Sequence, residues 1–377
     1  MVLYRQTDRQ TDRQTDRQTD RQYYIDLVES IAIFFVLSYH GTNYDYNFLQ
    51  DSESVLFYIR YFVRTILSCC VPLFFFANGY LLFNRDFYLK KHIEKMIRLT
   101  LLTIIWGIID LFVLMFIKNE FLSLKDFVKG VWGWKQGWIN HLWYMQALIV
   151  IYALFPLLKI AFDKRKDIFA FFIVIAAIMT FGNKAINSIA SIAAHLVLSK
   201  NTEYSINWFN GFNPFRGLYG YAFVYFCAGG VANDIYNKLC FLRKPYNNVI
   251  IIFLSMLGLF ATGIILSHVC NNIWDVVWNG YDTVFTFINV ICIFALCKEY
   301  NGRKSWFRKI IYTISVNTLG IYFIHVLFNQ LIRPYVREIA FLSNIPGNII
   351  FAHIILFISL FAVIIIKKIP VLKRLVM

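Results

Sequence analysis

The first strongly apolar stretch of the chain, residues 23–41, carries three ionisable side chains: Asp26, Glu29 and His40. An ionisable group inside an apolar run of membrane length is costly and marks a functional candidate. At 100° per residue, Glu29 and His40 fall about 20° apart around a helix, and Asp26 and His40 about 40°. All three share one face, with Glu29 and His40 roughly 16 Å apart along the axis. Such a stripe has to face protein rather than lipid. The imidazole is the one group whose charge changes near neutral pH, so it is the one able to take and release a proton there. The alternative reading makes Asp26 and Glu29 headgroup-level charges and His40 an interfacial cap. Other polar candidates are His325 and Asp110 inside apolar runs, Asp234 near the end of another, and His141, which precedes Trp143 and Tyr144 and reads equally as an interface anchor. His92, His195, His268 and His353 read as loop or interface residues. No His-x-x-x-His or Cys/His spacing calls for a metal, and no P-loop or Rossmann glycine pattern occurs.

The elements that must position these residues are membrane helices. The 377 residues are 59% hydrophobic, 38 of them Phe, and only 16% charged, which excludes an ordinary soluble enzyme. The apolar runs mix Ile, Leu, Phe and Ala without strand-like alternation, so an all-α membrane protein is expected rather than a barrel. Ten spans are predicted, at 23–41, 62–83, 97–117, 141–160, 167–182, 217–235, 247–268, 281–298, 314–332 and 347–366. Those at 167–182 and 281–298 are short or carry polar residues. Counting Lys and Arg in alternate segments places 26 of the 37 on the side of the N-terminal tail and 11 on the other. By the positive-inside rule, both termini are then cytoplasmic, which fits ten spans. The net charge of +15 is accounted for by this orientation, so no nucleic-acid partner is expected. Segment 183–216 is the largest expected outside loop, either a small lid or a plain connection. Cys69, Cys70, Cys227, Cys292 and Cys297 lie in apolar runs without metal or disulfide spacing and read as small core residues. The polar N-terminus does not read as a signal peptide.

Four blocks resemble the acyltransferase-3 family of integral membrane acyltransferases, in that family's order and over nearly the whole chain. "YIDLVESIAIFFVLSYH" (24–40) resembles its first helix and "VPLFFFANGYLLF" (71–83) its second-helix signature, followed by a basic loop and Arg98. "HLWYMQALIVIYALFPLL" (141–158) and "LGIYFIHVLF" (319–328) resemble two later helices. The nearest branch is the one that O-acetylates enterobacterial common antigen. The resemblance implies a ten-helix enzyme of the bacterial inner membrane with no permanently bound cofactor. It would take an acetyl group from acetyl-CoA and deliver it to a sugar hydroxyl on a cell-surface glycan or its lipid-linked precursor. It assigns the essential histidine to His40, with Asp26 and Glu29 on the same helix. An imidazole can take the proton of a sugar hydroxyl as it attacks a thioester, or carry the acetyl group itself. Arg98 with Lys90, Lys91 and Lys95 would serve the donor's phosphates; Asn78, His141, Trp143 and His325 would line the cavity. Two positions depart from the family pattern. Glu29 stands where the family usually has Arg, and a carboxylate cannot hold phosphate. Asn78 replaces a Ser. A transporter or exporter of glycans, or a catalytically altered relative, is the alternative.

Residues 5–22 repeat the tetrapeptide Arg-Gln-Thr-Asp. As protein, the stretch has no apolar face and is expected to be a disordered cytoplasmic tail, residues 1–22, before the membrane domain 23–377. As nucleic acid, Thr-Asp-Arg-Gln can be encoded by ACAG three times over. A run of about 13 copies of this four-base unit would encode the stretch in every frame without a stop. Gain or loss of one copy shifts the frame, and a restart at the next Met, Met96, loses His40. The repeat therefore reads as the footprint of an on–off expression switch; a protein-level repeat with mixed codons is the alternative.

Overall fold

The computed structural model describes residues 22–131, 133, 137–208, 219–300, 305–336 and 338–376. All of the tetrapeptide repeat except Gln22 lies outside them. Every regular element among the described residues is a helix, as expected of a chain whose backbone groups must be satisfied in hydrocarbon. They are α1 (Tyr23–Gly41), α2 (Val55–Arg64), which continues through a 3₁₀ turn into α3 (Cys70–Phe83), α4 (Leu89–Lys118), α5 (Leu124–Val131), α6 (Trp143–Lys164), α7 (Lys166–Ala177), α8 (Asn183–Leu198), α9 (Gly220–Gly230), α10 (Ala232–Lys238), α11 (Pro245–Cys270), α12 (Val284–Glu299), α13 (Ser305–Ser315), α14 (Thr318–Val336) and α15 (Ile345–Lys368).

Seven helices among the described residues are long and apolar enough to cross a membrane, or eight if the bent pair α13–α14 counts as one span. The segments expected at 217–235 and 281–298 fall on shorter helices. In α9 every residue from Tyr221 to Gly230 is buried, so its apolar character comes from being surrounded by protein. α12 starts only at Val284, where the Thr283 side chain caps the Thr286 N–H, and the preceding residues form turns. The segment expected at 314–332 is broken: α13 and α14 meet at 72°.

The fifth span differs most from expectation. α7 runs through a π turn (Ile178–Gly182) straight into α8, giving one candidate span from Lys166 to Leu198. The first half of the expected outside loop is thus helix. Its polar residues are not loop residues but one helix face paired with the returning chain. Asn187 donates to the Ile206 carbonyl and accepts from the Ile206 N–H, at 2.8 and 3.1 Å. Ser191 accepts from the Tyr204 N–H and Asn183 from that of Trp208, both at 2.9 Å. Residues 209–216 of that loop lie outside the described residues.

α1 sits at the centre, against α3, α12, α13, α14 and α15. α3 and α9 cross closest of all. A Cβ at Gly79 would collide with the Phe226 carbonyl, and one at Gly229 with the Phe76 carbonyl, so only glycine lets the two backbones meet there. The helix directions define two ends of the bundle: a tail end, where α1, α4, α7 and α11 begin, and a His40 end, where they finish.

Candidate active site

His40 lies in the last turn of α1, where backbone carbonyls lose their partners within the helix. Side chains from two other helices satisfy them, and a third helix reaches the adjoining Thr42 hydroxyl. Asn329 of α14 donates to the His40 carbonyl at 2.9 Å, and Arg333, one turn on, donates to that of Thr42 at 3.0 Å. Asn348 of α15 donates to the Ser38 carbonyl at 3.3 Å and accepts from the Asn43 N–H at 3.1 Å. Arg64 of α2 reaches the Thr42 hydroxyl at 2.9 Å. Two cations at this helix end also match the sign of its dipole. The backbone that carries His40 is therefore held on several sides.

Three imidazoles converge beside it. The ring of His325 lies 5.3 Å from that of His40 and 5.8 Å from that of His141, centroid to centroid. His325 is fully buried, and its Nδ1 is 2.6 Å from the Tyr322 carbonyl oxygen. His141 is also buried; its Nε2 lies 3.3 Å from Oδ2 of Asp110, a carboxylate on α4 with no exposed surface. The Tyr322 hydroxyl donates to the His141 carbonyl, which ties α14 to the chain just before α6. A buried carboxyl group is thus set behind a group of imidazoles, groups that can each take up or release a proton.

His40, His141 and Tyr322 line a cavity of about 1210 Å³ at the His40 end. Trp143 lines it too, stacked on Tyr219 at 4.6 Å and 12°. Its other walls include Tyr39, Tyr44, Tyr46, Arg64, Asp275 and Trp278, residues that sequence reasoning did not single out. Arg64 read only as a basic residue at a span entry, and Asp275 stood in a loop without Lys or Arg. The signal that could have found them is the aromatic density around them. Burial pushes the phenols of Tyr44 and Tyr46 up, partly opposed by the Arg64 guanidinium, so both hydroxyls stay protonated and able to donate.

At the tail end, Lys95 donates to the Tyr152 hydroxyl at 3.1 Å, and that hydroxyl donates to Oδ1 of Asn78 at 3.0 Å. The Asn78 amide donates to the Tyr144 hydroxyl at 3.3 Å, and Tyr144 lines the cavity. A polar thread thus links the first turns of α4 to the cavity through the core. Lys90, Lys91 and Arg98 share the start of α4 and are exposed. A second recess of about 550 Å³ lies nearby, with Arg85, Lys159 and Lys164 among its lining residues. His92, expected as a loop or interface residue, is buried in α4 with Nε2 at 2.8 Å from the Tyr152 carbonyl.

Asp26 and Glu29 are buried, but against the α13–α14 break and not in the cavity. The Ser315 hydroxyl is shared between them, 2.8 Å from Oδ1 of Asp26 and also against Oε2 of Glu29. They face protein, as a polar stripe must, yet the structure does not bring them to His40. Asp234 pairs with Lys166 at 3.4 Å near the tail end, away from the cavity.

Residues 22–368 match a family model described as an acyltransferase domain, that of acyltransferase family 3. An amino-acid racemase of Enterococcus faecalis is 24% identical over 308 residues, which is 78% of this chain and 38% of that protein. The chain thus spans well under half the length of that relative, and the racemase activity is said of that protein alone. No solved structure matches. With the family match spanning nearly all of the described helices, and an imidazole group facing a large cavity among them, the chain belongs to the acyltransferase-3 family of membrane acyltransferases.

Proposed function

We propose that this protein is a bacterial inner-membrane O-acyltransferase that moves an acetyl group from acetyl-CoA to a sugar hydroxyl of a surface polysaccharide or lipopolysaccharide. The O-acetylation of enterobacterial common antigen is the nearest branch. The observation that carries the reading is the placement of His40: its ring opens on the cavity, not on lipid, and two further imidazoles and a buried carboxylate stand behind it. His40 takes the proton of the acceptor hydroxyl as its oxygen attacks the thioester carbonyl. The new C–O bond forms, the C–S bond breaks, and the proton returns to the leaving thiolate. A route through an acetyl-imidazole uses the same ring. Asp110, through His141, balances the transient positive charge.

In this reading ten spans place both termini in the cytoplasm, and the His40 end faces away from it. Acetyl-CoA approaches from the tail end, its phosphates on Lys90, Lys91, Lys95 and Arg98, and the Lys95–Tyr152–Asn78–Tyr144 thread marks the way to the cavity. The glycan, or its lipid-linked precursor, enters the cavity from the other side. Glu29, bound to Ser315, takes no part in holding phosphate. The repeat at 5–22 acts in the gene, switching expression by slippage.

The test is transfer of labelled acetyl groups to surface glycan in membranes holding wild-type protein or His40→Ala at equal levels. Transfer lost in the variant supports the reading. Glycan movement without acetylation would replace it with transport. Mass spectrometry of surface glycans with the gene intact and deleted should differ by one acetyl group. For the switch, the coding DNA should show an unbroken four-base tract; varied codons would end that idea.

A further inference from the structure

The geometry points to a saccharide subsite at the Arg64–Asp275 pair, which holds an uncharged sugar residue of the acceptor next to the one that is acylated. This deepens the glycan-acceptor reading above and rests on it.

Arg64 is a buried cation in the cavity wall, its side chain 4% exposed. A guanidinium taken out of water needs its five donors used. Its guanidinium carbon sits over two aromatic rings, 4.4 Å from that of Tyr46 and 5.3 Å from that of Tyr39. One edge donates to Thr42. Nη2 is 3.6 Å from Oδ1 of Asp275, beyond hydrogen-bond reach, and Nε has no partner among the described residues. This cation is incompletely matched by the protein.

Asp275 is held the opposite way. Its Oδ1 accepts from the N–H groups of Val277 and Trp278 at 3.0 and 3.3 Å, and its Oδ2 from the Tyr39 hydroxyl at 2.9 Å. The carboxylate is thereby fixed while its side chain stays 35% exposed to the cavity. A sugar hydroxyl both donates and accepts. Neighbouring hydroxyls can therefore donate to Asp275 and accept from Arg64, which a carboxylate or phosphate cannot do beside Asp275 without repulsion. Trp278, in the same wall, supplies aromatic surface for the C–H face of the ring, and Tyr46 backs the Arg64 guanidinium.

Size and position agree with this. The cavity, at about 1210 Å³, exceeds the roughly 300–1,000 Å³ of ordinary small-ligand pockets, so it has room for more than one sugar residue. Tyr39, which binds Asp275, directly precedes His40 in the chain, and their rings are 5.3 Å apart. The subsite flanks the reacting position and does not coincide with it.

The test uses full-length protein in detergent, labelled acetyl-CoA, and oligosaccharides released by mild acid from the surface glycan of the producing cells. Asp275→Asn should raise the acceptor KM about 10- to 100-fold, as expected for a lost hydrogen bond to a charged group, with a smaller change in kcat. Tyr46→Ala should raise it several-fold. The same oligosaccharides should quench the tryptophan fluorescence of the wild type more strongly than that of Asp275→Asn. Unchanged KM and unchanged quenching in a folded Asp275→Asn protein would overturn the subsite. Absence of any transfer by the wild type would instead overturn the acceptor reading beneath it. A third outcome, a KM rise seen only with oligosaccharides that carry carboxylate or phosphate, would contradict the uncharged class proposed.

Discussion

Nδ1 of His325 lies 2.6 Å from the carbonyl oxygen of Tyr322, one turn earlier in α14. A carbonyl only accepts, so Nδ1 carries the hydrogen and the neutral ring keeps its lone pair on Nε2. Nε2 has no partner among the described residues, although the ring is wholly buried. The backbone of α14 thus fixes a buried acceptor within ring-to-ring reach of His40 and His141.

His325→Gln keeps a polar side chain of similar length but cannot take up a proton. It should lower kcat for acetyl transfer about 100-fold or more while leaving the donor KM nearly unchanged. Steady-state kinetics on purified protein checks this; an unaltered kcat would remove His325 from the proton path.

Asp110→Asn keeps shape and removes charge from the far end of the imidazole group. Turnover should fall about 10- to 100-fold. Because His141 lies between Asp110 and the cavity, the acceptor KM should move much less. A rise in acceptor KM with kcat retained would show instead that Asp110 only shapes the cavity wall.

Asn329→Leu removes the donor to the His40 carbonyl. Leaving that half-buried carbonyl unpaired costs about 1 kcal/mol. The melting temperature should drop, and kcat should drop with it, since the ring loses its fixed position. The conservative Asn329→Gln should restore part of both.

Lys95→Ala cuts the thread to Tyr152 and Asn78 at its tail end. The expected effect falls on the donor: KM for acetyl-CoA should rise about 10-fold and acceptor KM should stay put. Arg98→Ala should act in the same direction. Binding of radiolabelled coenzyme A to the purified protein reads both.

Gly229→Ala places a methyl group against the Phe76 carbonyl, where neither backbone can yield locally. Overpacking of this kind costs about 1–3 kcal/mol. The variant should melt lower or accumulate poorly in membranes, whereas Gly137→Ala has open space around its Cβ and meets only the strain of its φ of +82°.

What the sequence made legible is local. The face shared by Asp26, Glu29 and His40 follows from helical periodicity alone, and α1 has it. The meeting of His40, Asp110, His141 and His325 does not follow from any spacing, because these residues stand on separate elements up to 285 positions apart and converge only through helix packing. The resemblance flagged His141 and His325 individually; their geometry needed the fold. α8 was hidden for a different reason. Asn183, Asn187 and Ser191 read as loop because polar residues ordinarily mark surface, whereas here they bind the returning chain. Arg64 and Asp275 were invisible as a pair because 211 residues separate them.

The glycine contact between α3 and α9 bears on how substrates get in. Two backbones that touch cannot slide or roll past each other, so this pair behaves as a fixed axle, and Asn78, next to Gly79, is carried on it. Any breathing that opens the cavity must come from the surrounding helices. The bend at Val316 and Asn317, where α13 turns into α14, is itself pinned, by Ser315 on Asp26 and Glu29 and by Lys367 on the Val316 carbonyl. Any movement there has to break those bonds before it carries the Tyr322 and His325 rings relative to His40, while the axle stays still.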